Sequence, residues 1–451
     1  GARSGPPRFA MGPDTTVLDD DLRPVPVGEI GRLARRGHVP LEYWKDPAKT
    51  AATFPTDADG VRWAIPGDLA RPEADGTLLP MAAVLNGIGY VFIVRLDEAK
   101  ASPQGLAGNQ SGWIALGMVA FAATLLIVRR VRDLEAYRWT LGLGGIVLLL
   151  LPLVPGVGKT INGAKIWVGV GPVSFQPGEF AKILLALFFA SYLVEKRELL
   201  AVSSHRIGPI PLPDLKHLGP VLLAWGVSLL VMVSEKDLGS SLLFFALFLV
   251  LLWVSTERAT YLVIGLLLFA GGAVFAHSQF THVQDRVDIW LDPWQDPKGD
   301  GYQIVEAAFA FSSGGVTGTG INLGSPTRIP YAETDFIFAA IGEELGLVGA
   351  TAIVICYLLM VGAGLRVALR TTVPFERLLA TGLTVLLGVQ SFIIMGGVIR
   401  VLPLTGITLP FVSYGGSSLV ANYVLLALLL RISDDTMQRE REREHDRELV
   451  A

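Results

Sequence analysis

From about residue 78 onward the sequence is a succession of apolar runs divided by short polar stretches, and this pattern constrains the fold more than any other feature. A helix needs roughly 20 apolar residues to cross a bilayer, and lipid offers no partner for an unpaired backbone group. Ten such runs can be marked, at 79–95, 112–128, 139–154, 176–195, 217–234, 239–255, 259–277, 337–365, 376–400 and 412–431. The expected architecture is all-α: a polytopic membrane protein of ten transmembrane helices, with a long polar loop, 278–336, ahead of the eighth. A mean hydropathy of +0.50 with 17% charged residues agrees, being too apolar for an ordinary soluble enzyme.

Lysine and arginine orient the runs. One set of alternate loops, with the tail, holds seventeen: Arg129, Arg130, Arg132, Arg138, Lys196, Arg197, Arg206, Lys216, Arg258, Arg366, Arg370, Arg377, Arg431, Arg439, Arg441, Arg443 and Arg447. The other set holds nine over a greater length: Arg95, Lys100, Lys159, Lys165, Lys236, Arg286, Lys298, Arg328 and Arg400. By the positive-inside rule both termini are expected in the cytoplasm and the loop 278–336 outside. The basic residues are dispersed, which argues against a nucleic-acid partner. The single cysteine, Cys356, allows neither an intrachain disulfide nor a CxxC metal site. The first eighty residues are polar and contain no h-region, so no cleavable signal peptide is expected.

Four outward segments carry polar residues that a plain bundle does not need. Asn162–Trp167 is followed by Phe175–Lys182, in which Glu179 and Lys182 are three apart and share a helix face. They read equally well as a structural ion pair or as part of a site. Ser234-Glu235-Lys236-Asp237 wedges three charges between two apolar runs; a surface turn is the plain reading, a polar cavity the functional one. The long loop runs from Arg286 through Asp292, Asp296 and Asp300 and a short amphipathic stretch, Ile304–Phe311. It then enters a Gly-rich run, Ser312–Gly320, able to bring backbone N–H groups to a phosphate but lacking a P-loop ending. The fourth segment, Leu409–Ser418, includes Ser413 and is a non-helical entry into the last run, of the kind tolerated where it lines a cavity.

At the end of the long loop stands Asp335, where polar sequence meets an apolar span. An acid there can stay ionised yet lose part of its solvation, which is how a general base is tuned. Lys165, Lys236, Arg286 and Arg400 would suit an anionic substrate such as a lipid-linked diphosphate. A divalent cation is left open; Asp292, Asp296 and Asp300 are the loop acids available for one.

At these residues the chain resembles the SEDS family of bacterial wall polymerases, RodA and FtsW, over about residues 78–435. The motifs are N-G-A-K-I-W, F-Q-P-G-E-F-A-K, E-K-D-L-G, D-P-x-x-D-P-x-G-x-G-Y-Q, T-D-F-I-F-A-A-I-G-E-E-L-G and L-P-F-V-S-Y-G-G-S-S, all in order. E-K-D-L-G brings the pattern nearer RodA. The resemblance implies a glycosyltransferase of the bacterial cytoplasmic membrane that polymerises lipid II during cell-wall elongation, partnered by a class B penicillin-binding protein. It also implies that Asp335 is the catalytic acid, with Lys165, Glu179, Lys182, Lys236, Asp237, Arg286, Arg400 and Ser413 as candidate substrate-binding residues. Two departures stand out. Tyr331 and Glu333 occupy positions where many relatives have Glu and His, and Lys236 stands where many have Pro. A flippase for the lipid-linked precursor, or a non-catalytic scaffold for the transpeptidase, are the rival readings. Broken helices and intramembrane charges fit transport, although no inverted repeat is visible.

Residues 1–77 differ in character. Val17–Pro26, Gly28–Ala34 and Trp63–Asp68 resemble an acyl-CoA synthetase of the adenylate-forming superfamily, with Asp68 matching the acid that holds the ATP ribose. The phosphate loop, hinge and lysine-bearing lid of that superfamily are absent, so this is expected to be a small α/β-derived, non-functional fragment from truncation or chimerism, with a true domain fusion as the alternative. The expected division is 1–77, 78–435 and a charged cytoplasmic tail, 436–451.

Overall fold

The computed structural model describes residues 14–450 apart from 26–29, 38, 41, 44–45, 71–75, 101, 162–163, 171–172, 202–204, 208–209, 213–225 and 227–236. They form two compact units, Thr77–Asp435 and Gly1–Gly76 with Thr436–Ala451. The N-terminal part of the second is an antiparallel sheet of β1 (Thr15–Leu18), β2 (Gly31–Arg35) and β3 (Leu69–Ala70), in that order. One short helix, α1 (Pro47–Thr53), is capped by the Asp46 side chain, which accepts from the Lys49 N–H. Leu18, Ala34, Trp63 and Ile65 are its core, and the Trp63 indole donates to Asp57 Oδ2 at 2.7 Å.

The larger unit is a helical bundle. Its elements are α2 (Leu78–Glu98), α3 (Leu106–Ile127), α4 (Arg138–Leu150), α5 (Pro177–Ala201), α6 (Leu238–Thr256) and α7 (Ala259–Gln279). Two shorter helices follow, α8 (Thr281–Leu291) and α9 (Tyr302–Gly314), then α10 (Ile337–Arg370), α11 (Pro374–Val398) and α12 (Gly416–Val450). Turns of 3-10 helix extend α4 to Val131 and Leu153. Among the described residues, nine helices are long and apolar enough to cross a membrane; the expected run 217–234 lies outside the described residues except for Gly226. In α5, α11 and α12 more than 70% of the most apolar stretch is buried, against 11% in α3 and α7, which sets the first three at the centre and the other two at the rim. Small residues allow close approach where lipid provides no hydrophobic drive: Gly142 and Gly145 of α4 lie against Phe188 and Leu185 of α5, with no room for a Cβ.

Two features depart from the expected architecture, one from its all-α character and one from its long loop. Three strands form an antiparallel sheet, β4 (Gly158–Ile161), β5 (Ala164–Val170) and β6 (Val173–Phe175), and β7 (His205–Ile207) pairs antiparallel with β8 (Ile210–Leu212). In Ala164–Val170 the β-branched Ile166, Val168 and Val170 alternate with Lys165, Trp167 and Gly169, a period-2 signal too short to stand out between apolar runs. The second departure is in the long loop. It is not loop throughout, because α8 and α9 occupy much of it, and the amphipathic stretch expected at 304–311 is the middle of α9.

The expected span 337–365 is also broken. Gly346 sits at φ 67°, ψ −166°, splitting α10 into a short buried segment and a long outer one. The Gly-rich run packs into this break: Thr319 N donates to Glu343 O, Gly320 N to Glu344 O, and Leu347 N to Gly315 O. A Cβ at Gly346 would stand 2.3 Å from Gly318 N, so only glycine fits. The N–H groups of Gly315, Gly318, Thr319 and Gly320 are thus committed to protein carbonyls, which weighs against the phosphate-loop reading of Ser312–Gly320.

Candidate active site

One end of the bundle is built on a non-helical segment, 401–415, between α11 and α12. Its carbonyls need partners at membrane depth, and neighbouring side chains supply them. Arg286 Nη1 of α8 donates to Leu404 O at 2.7 Å, Gln390 Nε2 of α11 to Thr408 O at 2.8 Å, and the Tyr357 hydroxyl of α10 to Pro410 O at 2.5 Å. The Ser413 hydroxyl bridges outward, accepting from Leu409 N at 2.9 Å and donating to Thr334 O at 2.6 Å. Tyr414 N donates to Glu333 O at 2.8 Å. The turn that carries Asp335 is therefore fixed to this segment on two consecutive carbonyls.

Asp335 and Arg286 meet at Gly406, where a Cβ would lie 3.6 Å from Asp335 Oδ2 and 4.0 Å from Arg286 Nη2. Gly406 has φ 75°, a conformation glycine adopts without strain. Asp335 keeps some access to solvent. Burial pushes its carboxyl up to about 6, opposed by the Thr334 hydroxyl and by Arg286, and reinforced by Asp237 and Glu333. Asp237 caps α6, its Oδ1 accepting from Ser240 N at 3.0 Å and its Oδ2 from the Ser240 hydroxyl at 2.6 Å. Burial raises Asp237 too, against its bonds to Ser240, with Glu179 adding to the rise and Arg286 opposing it. Arg286 is lowered by burial, with Asp237 and Asp335 pulling it back up. One guanidinium thus acts on two carboxyls that burial raises above the usual carboxylate range.

The charge network continues into α5. Lys182 Nζ pairs with Glu179 Oε2 at 2.6 Å and donates to Gln390 Oε1 at 2.7 Å, with both charged residues buried. The start of α5 is tied to α12 by Gln176 N donating to the Ser417 hydroxyl at 2.9 Å. A small cavity between these elements is lined by Leu149, Pro152, Ile166, Gln176, Gly178, Asp237 and Ser240. Lys165, on β5 beside Ile166, donates to Leu153 O at 3.4 Å.

Of the sequence candidates, Asp335 and Arg286 come together at Gly406, Asp237 lies within electrostatic reach of both and of the Glu179–Lys182 pair, and Ser413 braces the acid's turn. Lys165 neighbours Ile166 of the cavity lining, its ammonium turned to Leu153 O. Lys236 falls outside the described residues. Arg400 goes elsewhere: its guanidinium donates to Trp290 O at 3.0 Å and Leu291 O at 2.9 Å, closing the C-terminal end of α8. Asp292 and Asp296 accept from backbone N–H groups of their own turns. Among the described residues no group of three or more His, Cys, Asp or Glu could hold a metal ion. Two participants were not anticipated. Gln390 carried a signal, an amide inside an apolar run; Lys100, which pairs with Glu333 at 2.6 Å, carried none beyond its charge.

A family profile described as cell cycle protein, FtsW/RodA/SpoVE, matches residues 76–438. The chain belongs to this FtsW/RodA/SpoVE family. The peptidoglycan glycosyltransferase RodA of Mycobacterium tuberculosis is 48% identical over 367 residues, covering 80% of this chain and 78% of its own length. RodA of Mycobacterium leprae is 44% identical over 385 residues, covering 84% and 82%. Among solved structures, a chain from a study of polymerization and crosslinking by a peptidoglycan synthase complex aligns with a TM-score of 0.65 at 28% identity, covering 80% of this chain and 98% of that one. The rod shape determining protein RodA of Thermus thermophilus aligns at 0.56 and 26%, covering 80% and 97%. This FtsW/RodA/SpoVE chain is accordingly a multi-pass membrane protein of bacterial type, and its 401–415 segment, Asp335 turn and α5 charge pair all lie within the matched region.

Proposed function

We propose that this chain is a peptidoglycan glycosyltransferase that polymerises lipid II during wall elongation, with Asp335 as general base on the outer face of the membrane. The observation that carries the reading is Asp335 itself. It is a carboxyl raised to about 6, held on a braced turn beside a cation, at the polar end of a membrane bundle. A base with that value is largely ionised at neutral pH yet basic enough to take a proton from a sugar hydroxyl. In the reaction, Asp335 accepts the proton of the acceptor N-acetylglucosamine 4-hydroxyl as its oxygen attacks the anomeric carbon of the donor chain. The bond to the undecaprenyl diphosphate breaks, its electron pair leaves with the diphosphate, and the configuration inverts.

Base assistance supplies about 10²–10⁴-fold, so orientation and stabilisation of the leaving diphosphate must supply the rest. Arg286 and Lys165 are the cations near the cavity suited to that, while Lys182 is committed to Glu179 and Gln390. The mycobacterial relatives are named peptidoglycan glycosyltransferase RodA, which supports glycan polymerisation, and a crosslinking class B penicillin-binding protein is the partner such a polymerase would serve. The test is purified protein with labelled lipid II and its partner, comparing wild type with Asp335→Ala and Asp335→Asn. Polymer from wild type alone is expected. Equal polymer from all three would end the role of Asp335, and lipid movement in proteoliposomes unaffected by Asp335→Ala would favour a transporter.

A further inference from the structure

Lys100 stands in the turn between α2 and α3, and that turn is itself tied down. Asp97 Oδ1 accepts from Gln104 N at 2.8 Å and Oδ2 from Leu106 N at 2.7 Å, holding the start of α3 over the end of α2. From there Lys100 Nζ reaches Glu333 Oε1 at 2.6 Å, with the Glu333 side chain only 12% exposed. Glu333 is two residues ahead of Asp335 on a turn whose Tyr331 has φ 57°. A non-glycine residue in that region persists only where its surroundings impose it. The surroundings act from two sides: residues 413–414 hold the main chain, and Lys100 holds the side chain.

We propose that Lys100 is a positioning residue of the reaction: through Glu333 it locks the 331–335 turn and offsets the negative charge that Glu333 presents to Asp335. The proposal rests on Asp335 being the base. The other charges acting on Asp335 are Arg286 from α8 and Asp237 from the start of α6. Behind Asp237 stands the internally paired Glu179–Lys182 of α5. On α10, Glu343 is engaged by Ser325 N and Glu344 by Arg95, and the 401–415 segment contributes no charged residue. The Lys100–Glu333 pair is therefore the adjustable part of the field at Asp335. Without Lys100, an uncompensated carboxylate opposes ionisation of Asp335. Without Glu333, an uncompensated ammonium favours it.

The test is the pH profile of lipid II polymerisation by full-length protein in detergent or proteoliposomes, with kcat and KM separated. Lys100→Met is expected to move the acidic limb to higher pH, losing about three- to tenfold at pH 5.5 and less than about twofold at pH 8. Glu333→Gln moves the limb the other way, the double substitution returns it close to wild type, and Lys100→Arg keeps the wild-type profile. A uniform loss for Lys100→Met at every pH, with the limb unmoved, would overturn the inference in favour of a merely structural pair. So would shifts of the same sign in both single variants. If Asp335→Asn retains polymerisation, or wild type has no acidic limb, the base assignment itself fails. An inactive Asp335→Asn with a limb insensitive to Lys100 brings down only the inference about Lys100.

Discussion

Replacing Lys182 by Met separates a structural charge pair from a substrate-binding cation. Lys182 is 2% exposed and Glu179 7%, with a 2.6 Å contact between them and a second bond from Lys182 to Gln390. Removing the ammonium strands the Glu179 carboxylate in the bundle, where it also acts on Asp237, and leaves Gln390 Oε1 without its donor. Truncating one partner of a buried pair costs about 3–5 kcal/mol, whereas replacing both by apolar groups of similar volume is close to neutral. Lys182→Met and Glu179→Leu should therefore each cost about 3–5 kcal/mol, and the double variant, which still orphans Gln390 Oε1, about 1–3 kcal/mol. The coupling is then at least about 3 kcal/mol. Reversible unfolding in mixed micelles with increasing SDS, followed by tryptophan fluorescence, measures all four proteins. Single costs below about 1 kcal/mol, or costs that simply add, would refute the reasoning and return Lys182 to the pool of cations free to bind substrate.

Polymerisation should fall about tenfold between pH 7.5 and pH 5, because Asp335, raised to about 6, must be ionised to accept a proton; a flat profile in a chemistry-limited assay contradicts this. The same rise makes the acid a stability cost at neutral pH. A folded value above the unfolded one contributes stability below pH 3.8 that is lost as pH rises through about 6. Asp335→Asn should therefore abolish polymerisation while stabilising the fold at pH 7.5. The full rise would correspond to about 3 kcal/mol, and partial solvent access brings the expected gain to about 1–2 kcal/mol, measurable in the same unfolding series. Gly346→Ala, which would press a Cβ onto the Gly318 backbone, should cost at least about 3 kcal/mol and reduce accumulation in membranes. Gly362→Ala in the same helix, with open space around it, should be tolerated. Arg400→Ala should loosen the end of α8, about 1–3 kcal/mol, and expose residues 292–300 to protease while changing the KM for lipid II less than about twofold.

Much of this protein is legible in one dimension because the membrane imposes a length and an apolarity on every crossing. Runs such as 239–255 and 376–400 give their helices away directly, and the cost of charge at membrane depth picks out Asp335, Asp237 and Glu179 before any contact is known. The order of the motifs points to the family. Contacts over long sequence separation are another matter. Arg286 and Arg400 look alike in sequence, yet one donates to Leu404 O within electrostatic reach of Asp335 and the other closes α8, because the 401–415 segment folds back to meet α8 and the Asp335 turn. The Gly-rich run looks like a loop for phosphates until Glu343 and Glu344 are seen to take its N–H groups at a break that Gly346 alone permits. Lys100 and Glu333 are 233 residues apart, and only packing brings their charges together. Period, apolarity and the cost of burying charge are local properties that the sequence by itself determines. The tertiary structure alone decides which buried group each charge will meet, since every unsatisfied carbonyl and carboxylate competes for the same few donors.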